Sequence, residues 1–203
     1  MRSMKRIAVL ASGRGSNFQA IVDALQQKVI PAVCDCLITD NPRAYAIERA
    51  HRAGIPVRIL DFSSYADRAS YEIALRETML ACNPDLFILC GYMRLLNSET
   101  VRTFHKRILN IHPALLPSFP GLHAQKQALE YGVQVSGCTV HFVDERMDSG
   151  PIILQRCVPV LPSDDEESLS MRILAQEHQI LVEAVKLFCE ERLRIEGRRV
   201  VQI

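Results

Sequence analysis

The sequence has almost no net charge: 24 lysines and arginines stand against 23 aspartates and glutamates over 203 residues, a formal +1. A nucleic-acid surface needs a clustered basic excess, so the balance argues against nucleic-acid partners and leaves room only for a local anion site. Long apolar runs are missing too. Nothing approaches the ~20 residues of a membrane-spanning helix. The run Ile7 to Ala11 follows a basic start, Met1 to Arg6, but is too short for a secretory signal. Zinc-type cysteine spacing is also lacking. The seven cysteines are an odd set, Cys34-x-Cys36 has no second pair near it, and Cys34, Cys36, Cys90 and Cys138 sit inside apolar runs. They read as buried free thiols of a reducing, cytoplasmic compartment, with no metal site. No repeat, linker or low-complexity stretch divides the chain, so one domain over 1–203 is expected, although the length alone permits one large domain or two small ones.

What is present is ordinary for a folded soluble chain, with 48% hydrophobic and 23% charged residues. Strand-like and helix-like stretches alternate. Arg6 to Ser12 reads as a buried strand and Phe18 to Lys28 as a helix, with Phe18, Ile21, Val22 and Leu25 at helical spacing. Ala32 to Thr39 and Ile55 to Leu60 read as strands around a helix at Arg43 to Ala53. Tyr65 to Cys82 reads as a long amphipathic helix ended by Asn83-Pro84. Asp85 to Cys90 is continuously apolar, as a central parallel strand requires. A short helix at Ser98 to His105 and a strand ending at His112 follow. After Pro113 the pattern changes to a proline-rich loop and a helix from Leu122 to Tyr131. Ser136 to Val143 and Pro151 to Leu161 then suit an antiparallel pair, ahead of a helix running to about Glu191 and a terminal hairpin around Glu196-Gly197. The expected fold is α/β: a Rossmann-like, doubly wound, mostly parallel twisted sheet with an antiparallel C-terminal strand pair.

Three places carry chemistry. Gly13-Arg-Gly-Ser-Asn17 follows the first strand and opens the first helix. That layout offers backbone N–H groups and a positive dipole end to a phosphate, with Ser16 and Asn17 as N-cap types that can also donate to it. A plain tight turn is the other reading. No Gly-Lys-Ser/Thr follows, and the third glycine of the dinucleotide fingerprint is missing. The second place is Ile108-Leu-Asn-Ile-His112-Pro113. Residues two apart on a strand share a face, so Asn110 and His112 aim at one spot while Leu109 and Ile111 pack the other way. Pro113 ends the strand there. The third is Asp148-Ser-Gly-Pro151, where a carboxylate precedes a rigid corner. Taken alone, a turn aspartate capping its own backbone is the stronger reading of Asp148. An imidazole held by a carboxylate, beside an amide that donates to a developing oxyanion, suits acyl or formyl transfer. No Ser or Cys nucleophile falls in register with His112, so direct attack by a bound amine fits better than a covalent acyl-enzyme.

Seven segments, in order and over nearly the whole chain, resemble the phosphoribosylglycinamide formyltransferase family: Ser12 to Asn17, Gly91 to Leu96, Leu109 to Pro117, Pro120 to His123, Val140 to Val143, Asp148 to Gln155 and Gln176 to His178. The resemblance implies transfer of a formyl group from 10-formyltetrahydrofolate, a co-substrate, to the amine of glycinamide ribonucleotide in purine synthesis, without a metal. It implies a nucleotide- and phosphate-binding half over 1–105 and a catalytic, folate-binding half over 106–203. Asn110 and His112 would bind the oxyanion, and Asp148 would hold His112 protonated and help relay the amine proton through water. Gly15, Ser16 and Asn17 would hold the ribonucleotide phosphate and Glu177 the ribose hydroxyls. Met93, Arg94, Leu95, Leu96, Asn110 and the loop Asp144, Glu145, Arg146, Met147 would hold the folate, largely through the main chain, with Arg68 near its tail. Family members occur as monomers and homodimers. The nearest rivals are methionyl-tRNA formyltransferase, which needs a further basic RNA-binding domain, and formyltetrahydrofolate hydrolase, which carries an N-terminal regulatory domain. A non-catalytic nucleotide-binding module would keep the glycine loop without needing Asn110, His112 and Asp148 together. His141 reads as a satisfied core histidine and His178 as helix packing.

Overall fold

The structure, a computed structural model, describes residues 4–203; Met1, Arg2 and Ser3 of the basic start lie outside the described residues. The chain divides into two compact units, Met1–Leu109 and Asn110–Ile203.

In the first unit, β1 (Lys5–Leu10), α1 (Ser16–Gln26), β2 (Ala32–Thr39), α2 (Ala46–Arg52), β3 (Val57–Ile59), a 3-10 turn at Phe62–Ser64, α3 (Arg68–Cys82), β4 (Leu86–Leu89) and α4 (Ser98–Thr103) follow one another. The strands lie in the order β3-β2-β1-β4, and all of these pairs are parallel. Ile7 through Leu10 and Leu86 through Ile88 are wholly buried, as strands covered on both faces must be. Leu10 pairs with both Ile38 and Leu89, so β1, β2 and β4 end level. The loops that follow them open at one carboxyl edge, where such sheets carry their sites.

Three helices start later than the residue pattern suggests; the one expected from Leu122 begins at Ala124, after His123 takes a left-handed φ of +58. α2 begins at Ala46 rather than Arg43 because Asn41 closes a turn first: its Oδ1 accepts the Arg43 N–H at 2.9 Å and its carbonyl accepts the Ala44 N–H at 3.0 Å. α3 begins at Arg68 rather than Tyr65 because Asp67 and Ser70 form a reciprocal capping box.

The unit boundary falls inside β5 (Ile108–His112). The second unit continues with α5 (Ala124–Tyr131), β6 (Val135–Phe142), β7 (Ile152–Pro159), α6 (Glu166–Cys189), β8 (Leu193–Glu196) and β9 (Arg199–Gln202). The strand order is β5-β6-β7-β9-β8. β6 and β7 form the expected antiparallel pair, β8 and β9 form the expected hairpin, and β9 joins β7 in parallel. On α6, Leu169, Ile173, Ile180, Ala184 and Leu187 form the buried stripe, with one carboxylate, Glu177, in the same stripe. Thr139 of β6 pins the proline-rich loop: its hydroxyl donates to Ala114 O at 2.7 Å and accepts the Leu116 N–H at 3.1 Å. The alternating helices and mixed, mostly parallel sheet are the fold class the sequence predicts.

Candidate active site

Asn110 and His112 do share a face of β5, and what they share there is one carboxylate. Asp148 Oδ1 accepts from Asn110 Nδ2 at 3.4 Å, and Asp148 Oδ2 lies 3.4 Å from His112 Nδ1. The backbone N–H of Gly121 donates to the same Oδ2 at 2.8 Å. The His112 and Asp148 side chains are only 6% and 13% exposed, so these contacts act in a poorly screened medium. Asp148 takes φ +48, a left-handed conformation that aspartate tolerates better than most side chains. The next corner is equally constrained, since a Cβ on Gly150 would lie 1.7 Å from Phe142 O. The corner therefore aims the carboxylate at the end of β5 instead of letting it cap its own loop.

His112 Nε2 lies 2.8 Å from Phe119 O. A carbonyl only accepts, so Nε2 carries the proton. Both ring nitrogens thus face acceptors, a carboxylate on one side and a main-chain carbonyl on the other. Phe119 itself takes φ +54.

His141, which the sequence presents as a core residue, is buried and also touches this cluster. Its Nδ1 lies 3.0 Å from Phe142 O and its Nε2 lies 3.2 Å from Asn110 Nδ2. Burial pushes its pKa below the ordinary histidine value, against the pull of the Phe142 carbonyl and the Asp148 charge. The 3.7 Å approach of Nε2 to Asp148 Oδ1 is therefore not an ion pair at neutral pH.

In the first unit, Gly15 is the N-cap of α1 at φ +67 and no side chain caps the helix, which corrects the expectation that Ser16 or Asn17 would do so. Glycine is required there: a Cβ would meet Ala46 Cβ at 2.8 Å. Arg49, which nothing in the sequence marks out, braces the turn by donating to Arg14 O at 2.9 Å and Gln19 Oε1 at 3.0 Å. Asn17 is buried, and Ser16 lies at the first turn. The Gly91–Leu96 loop is tied to the same turn, since Ser12 Oγ accepts the Met93 N–H at 2.9 Å and Gly91 O accepts the Ser12 N–H at 3.2 Å. Arg94 does not reach outward. Its guanidinium pairs with buried Asp40 at 2.6 Å and stacks 3.5 Å above the Phe62 ring, beside the bonded Tyr71 and Tyr92 hydroxyls. Met93 and Leu95 are left exposed, so this loop offers apolar side chains and main chain. Arg68 is bound to Glu72 at 2.6 Å and leans on Leu95 O at 3.5 Å, next to that loop.

In the second unit Asp144 organises its own loop, accepting from Arg146 N and Ser149 Oγ, each at 3.0 Å. Glu145, Arg146 and Met147 are exposed, and Met147 lies over Gly121. Glu177 comes from a different element, α6, where it is buried. Burial and then the Glu177 charge push the Cys138 thiol up to about 12. Among the described residues no group of three or more His, Cys, Asp and Glu is arranged to hold a metal ion, and no helix is long and apolar enough to cross a membrane.

A sequence profile described as Formyl transferase matches residues 5–185. The chain belongs to the formyl transferase family. Within that family it is similar to the phosphoribosylglycinamide formyltransferase of Escherichia coli K12, at 40% identity over 189 residues, covering 93% of this chain and 89% of that protein. The crystal structure of glycinamide ribonucleotide transformylase 1 from Symbiobacterium toebii is 52% identical with a TM-score of 0.96, covering 100% of this chain and 96% of that one. A Drosophila melanogaster relative named trifunctional purine biosynthetic protein adenosine-3 is 48% identical over 176 residues, which is 86% of this chain but only 13% of that relative. A formyltetrahydrofolate deformylase from Pseudomonas syringae, at 24% identity and TM-score 0.92, shares the formyl transferase fold.

Proposed function

We propose that the protein transfers the formyl group of 10-formyltetrahydrofolate to the amine of 5'-phosphoribosylglycinamide, giving the formylated ribonucleotide and tetrahydrofolate. The observation that carries the reading is the single, largely shielded carboxylate of Asp148 serving both Asn110 and His112. It is supported by relatives bearing the phosphoribosylglycinamide formyltransferase name that match over nearly their whole length. In the proposed reaction the amine lone pair attacks the formyl carbon and the carbonyl electrons move to oxygen. The resulting oxyanion takes hydrogen bonds from the Asn110 amide and from the His112 Nε2–H, which in the resting chain is spent on Phe119 O. Asp148 faces the charge on His112 as it does this work. Collapse of the intermediate breaks the bond to the folate nitrogen, which receives the proton lost by the amine through water held by Asp148.

The remaining assignments follow the same proposal. The uncapped start of α1, with Gly15, Ser16 and Asn17, takes the phosphate, and Glu177 takes the ribose hydroxyls. Met93 to Leu96 and Asp144 to Met147 hold the pterin largely by main chain, with Arg68 near the folate tail. The test is formyl transfer from 10-formyltetrahydrofolate with and without glycinamide ribonucleotide. Formylated ribonucleotide is the expected product, and His112→Ala abolishes its formation. Release of formate at the same rate whether or not the ribonucleotide is present would replace transfer with hydrolysis.

A further inference from the structure

The alternation of β6 gives His141 no task beyond packing, but the ladder under it is irregular. Val140 pairs with Leu154 and His141 with Ile152, so Ile153 is the extra residue of a bulge beside the site. The ring that results meets the side-chain amide of Asn110.

We propose that His141 is a positioning residue for formyl transfer: as a neutral acceptor it fixes the Asn110 side chain so that its nitrogen, not its oxygen, is turned to the reacting centre. This rests on the transferase reading above. Nδ1 at 3.0 Å from Phe142 O must be the protonated nitrogen, because the carbonyl has nothing to donate. A neutral ring has only that proton, so Nε2 presents a lone pair. The Asn110 atom 3.2 Å from it can then only be the amide nitrogen. The ring is kept neutral by burial, which outweighs the raising influence of the Phe142 carbonyl, Asp148 and Asp144.

The reversed amide would set its oxygen against the Nε2 lone pair and against Asp148 Oδ1, where Asn110 Nδ2 now donates at 3.4 Å. Both contacts would become acceptor against acceptor. One amide hydrogen is therefore anchored on His141. The other, on the longer and weaker bond to Asp148, is the one an oxyanion can take. The two histidines divide the work: His112 meets acceptors at both nitrogens, and His141 is the fixed acceptor.

Two substitutions and one background test this. His141→Leu fills the space and removes the acceptor, whereas His141→Gln returns an acceptor to the Nε2 position. Removing a well-placed oxyanion donor costs about 10²–10³ in kcat, so losing its alignment in the Leu variant is expected to cost ~10–100-fold, with KM for both substrates changed less than about threefold. The Gln variant is expected within about fivefold of wild type, and in an Asn110→Ala background the Leu change should cost less than about twofold. In the wild type, nitrogen-15 NMR of the ring should report the Nδ1–H tautomer. A folded Leu variant with unchanged kcat, equal losses in Leu and Gln, a full additional loss in the Asn110→Ala background, or an Nε2–H tautomer would each overturn the role of His141 in an active enzyme. Wild-type protein without transfer activity would instead overturn the functional reading, and this inference with it.

Discussion

Asp148→Asn tests the site at its centre, because asparagine keeps the size and tolerates the φ of +48 that Asp148 adopts. The carboxylate now accepts on both oxygens: Gly121 N–H and the His112 ring at Oδ2, and the Asn110 amide at Oδ1. An amide has only one acceptor. If its oxygen stays with Gly121 and His112, its NH2 faces the NH2 of Asn110; if it turns, its NH2 faces the Gly121 N–H. One contact becomes donor against donor in either case, and His112 loses its negative partner. A hydrogen bond to a charged group is worth about 1.5–3 kcal/mol, and leaving a buried donor unpaired costs about 1–3 kcal/mol. If the loss falls mainly on the charged transition state, about 3–5 kcal/mol corresponds to ~10²–10⁴ in kcat. The measurement is kcat for appearance of formylated ribonucleotide, with thermal unfolding as a check on integrity. A folded variant within tenfold of wild type would refute the reasoning.

Gly15→Ala brings a Cβ to 2.8 Å from Ala46 at a left-handed φ, so a loss of about 1–3 kcal/mol in stability and weaker ribonucleotide binding are expected by calorimetry. An unchanged affinity would argue against a phosphate site at this turn. Arg94→Leu leaves the buried Asp40 carboxylate without its 2.6 Å partner and removes the stack on Phe62. Arg94 is about a third exposed, so a loss of about 1–3 kcal/mol is expected, with a raised KM for the folate and little change in KM for the ribonucleotide. Asp164, bound by the two terminal guanidinium nitrogens of Arg172 at 2.7 and 2.8 Å, is held well below the usual carboxylate range, first by that pairing. Its stabilisation is therefore full above the unfolded value of about 3.9 and is lost as pH falls towards the lower folded value. Asp164→Asn should lower Tm at neutral pH, and melting curves should converge with wild type in strong acid.

Strand and helix order was legible because fully buried parallel strands leave continuous apolar runs, as at Ile7 to Leu10 and Leu86 to Leu89. The pairing of Asn110 with His112 was legible from strand periodicity alone. The starts of α2 and α3 were not, because side-chain turns at Asn41 and Asp67 override the apolar pattern. Asp148 could be suspected from its corner, but its partners depend on chain returning 36 residues after His112. The roles of His141 and Arg94 were hidden for a different reason. One depends on a bulge and the other on a ring and a carboxylate from two separate loops, and neither leaves a periodic trace.

In the proposed reaction, the Phe119 carbonyl on His112 Nε2 makes the chain its own competitor for the formyl oxygen. A neutral formyl oxygen that displaces it exchanges one carbonyl for another and gains little. An oxygen bearing a full negative charge forms a bond roughly twice as strong and wins the exchange. An internal stand-in thus cancels affinity for the ground state and leaves the surplus for the tetrahedral species, so anionic tetrahedral mimics should bind far more tightly than uncharged formyl analogues of equal size.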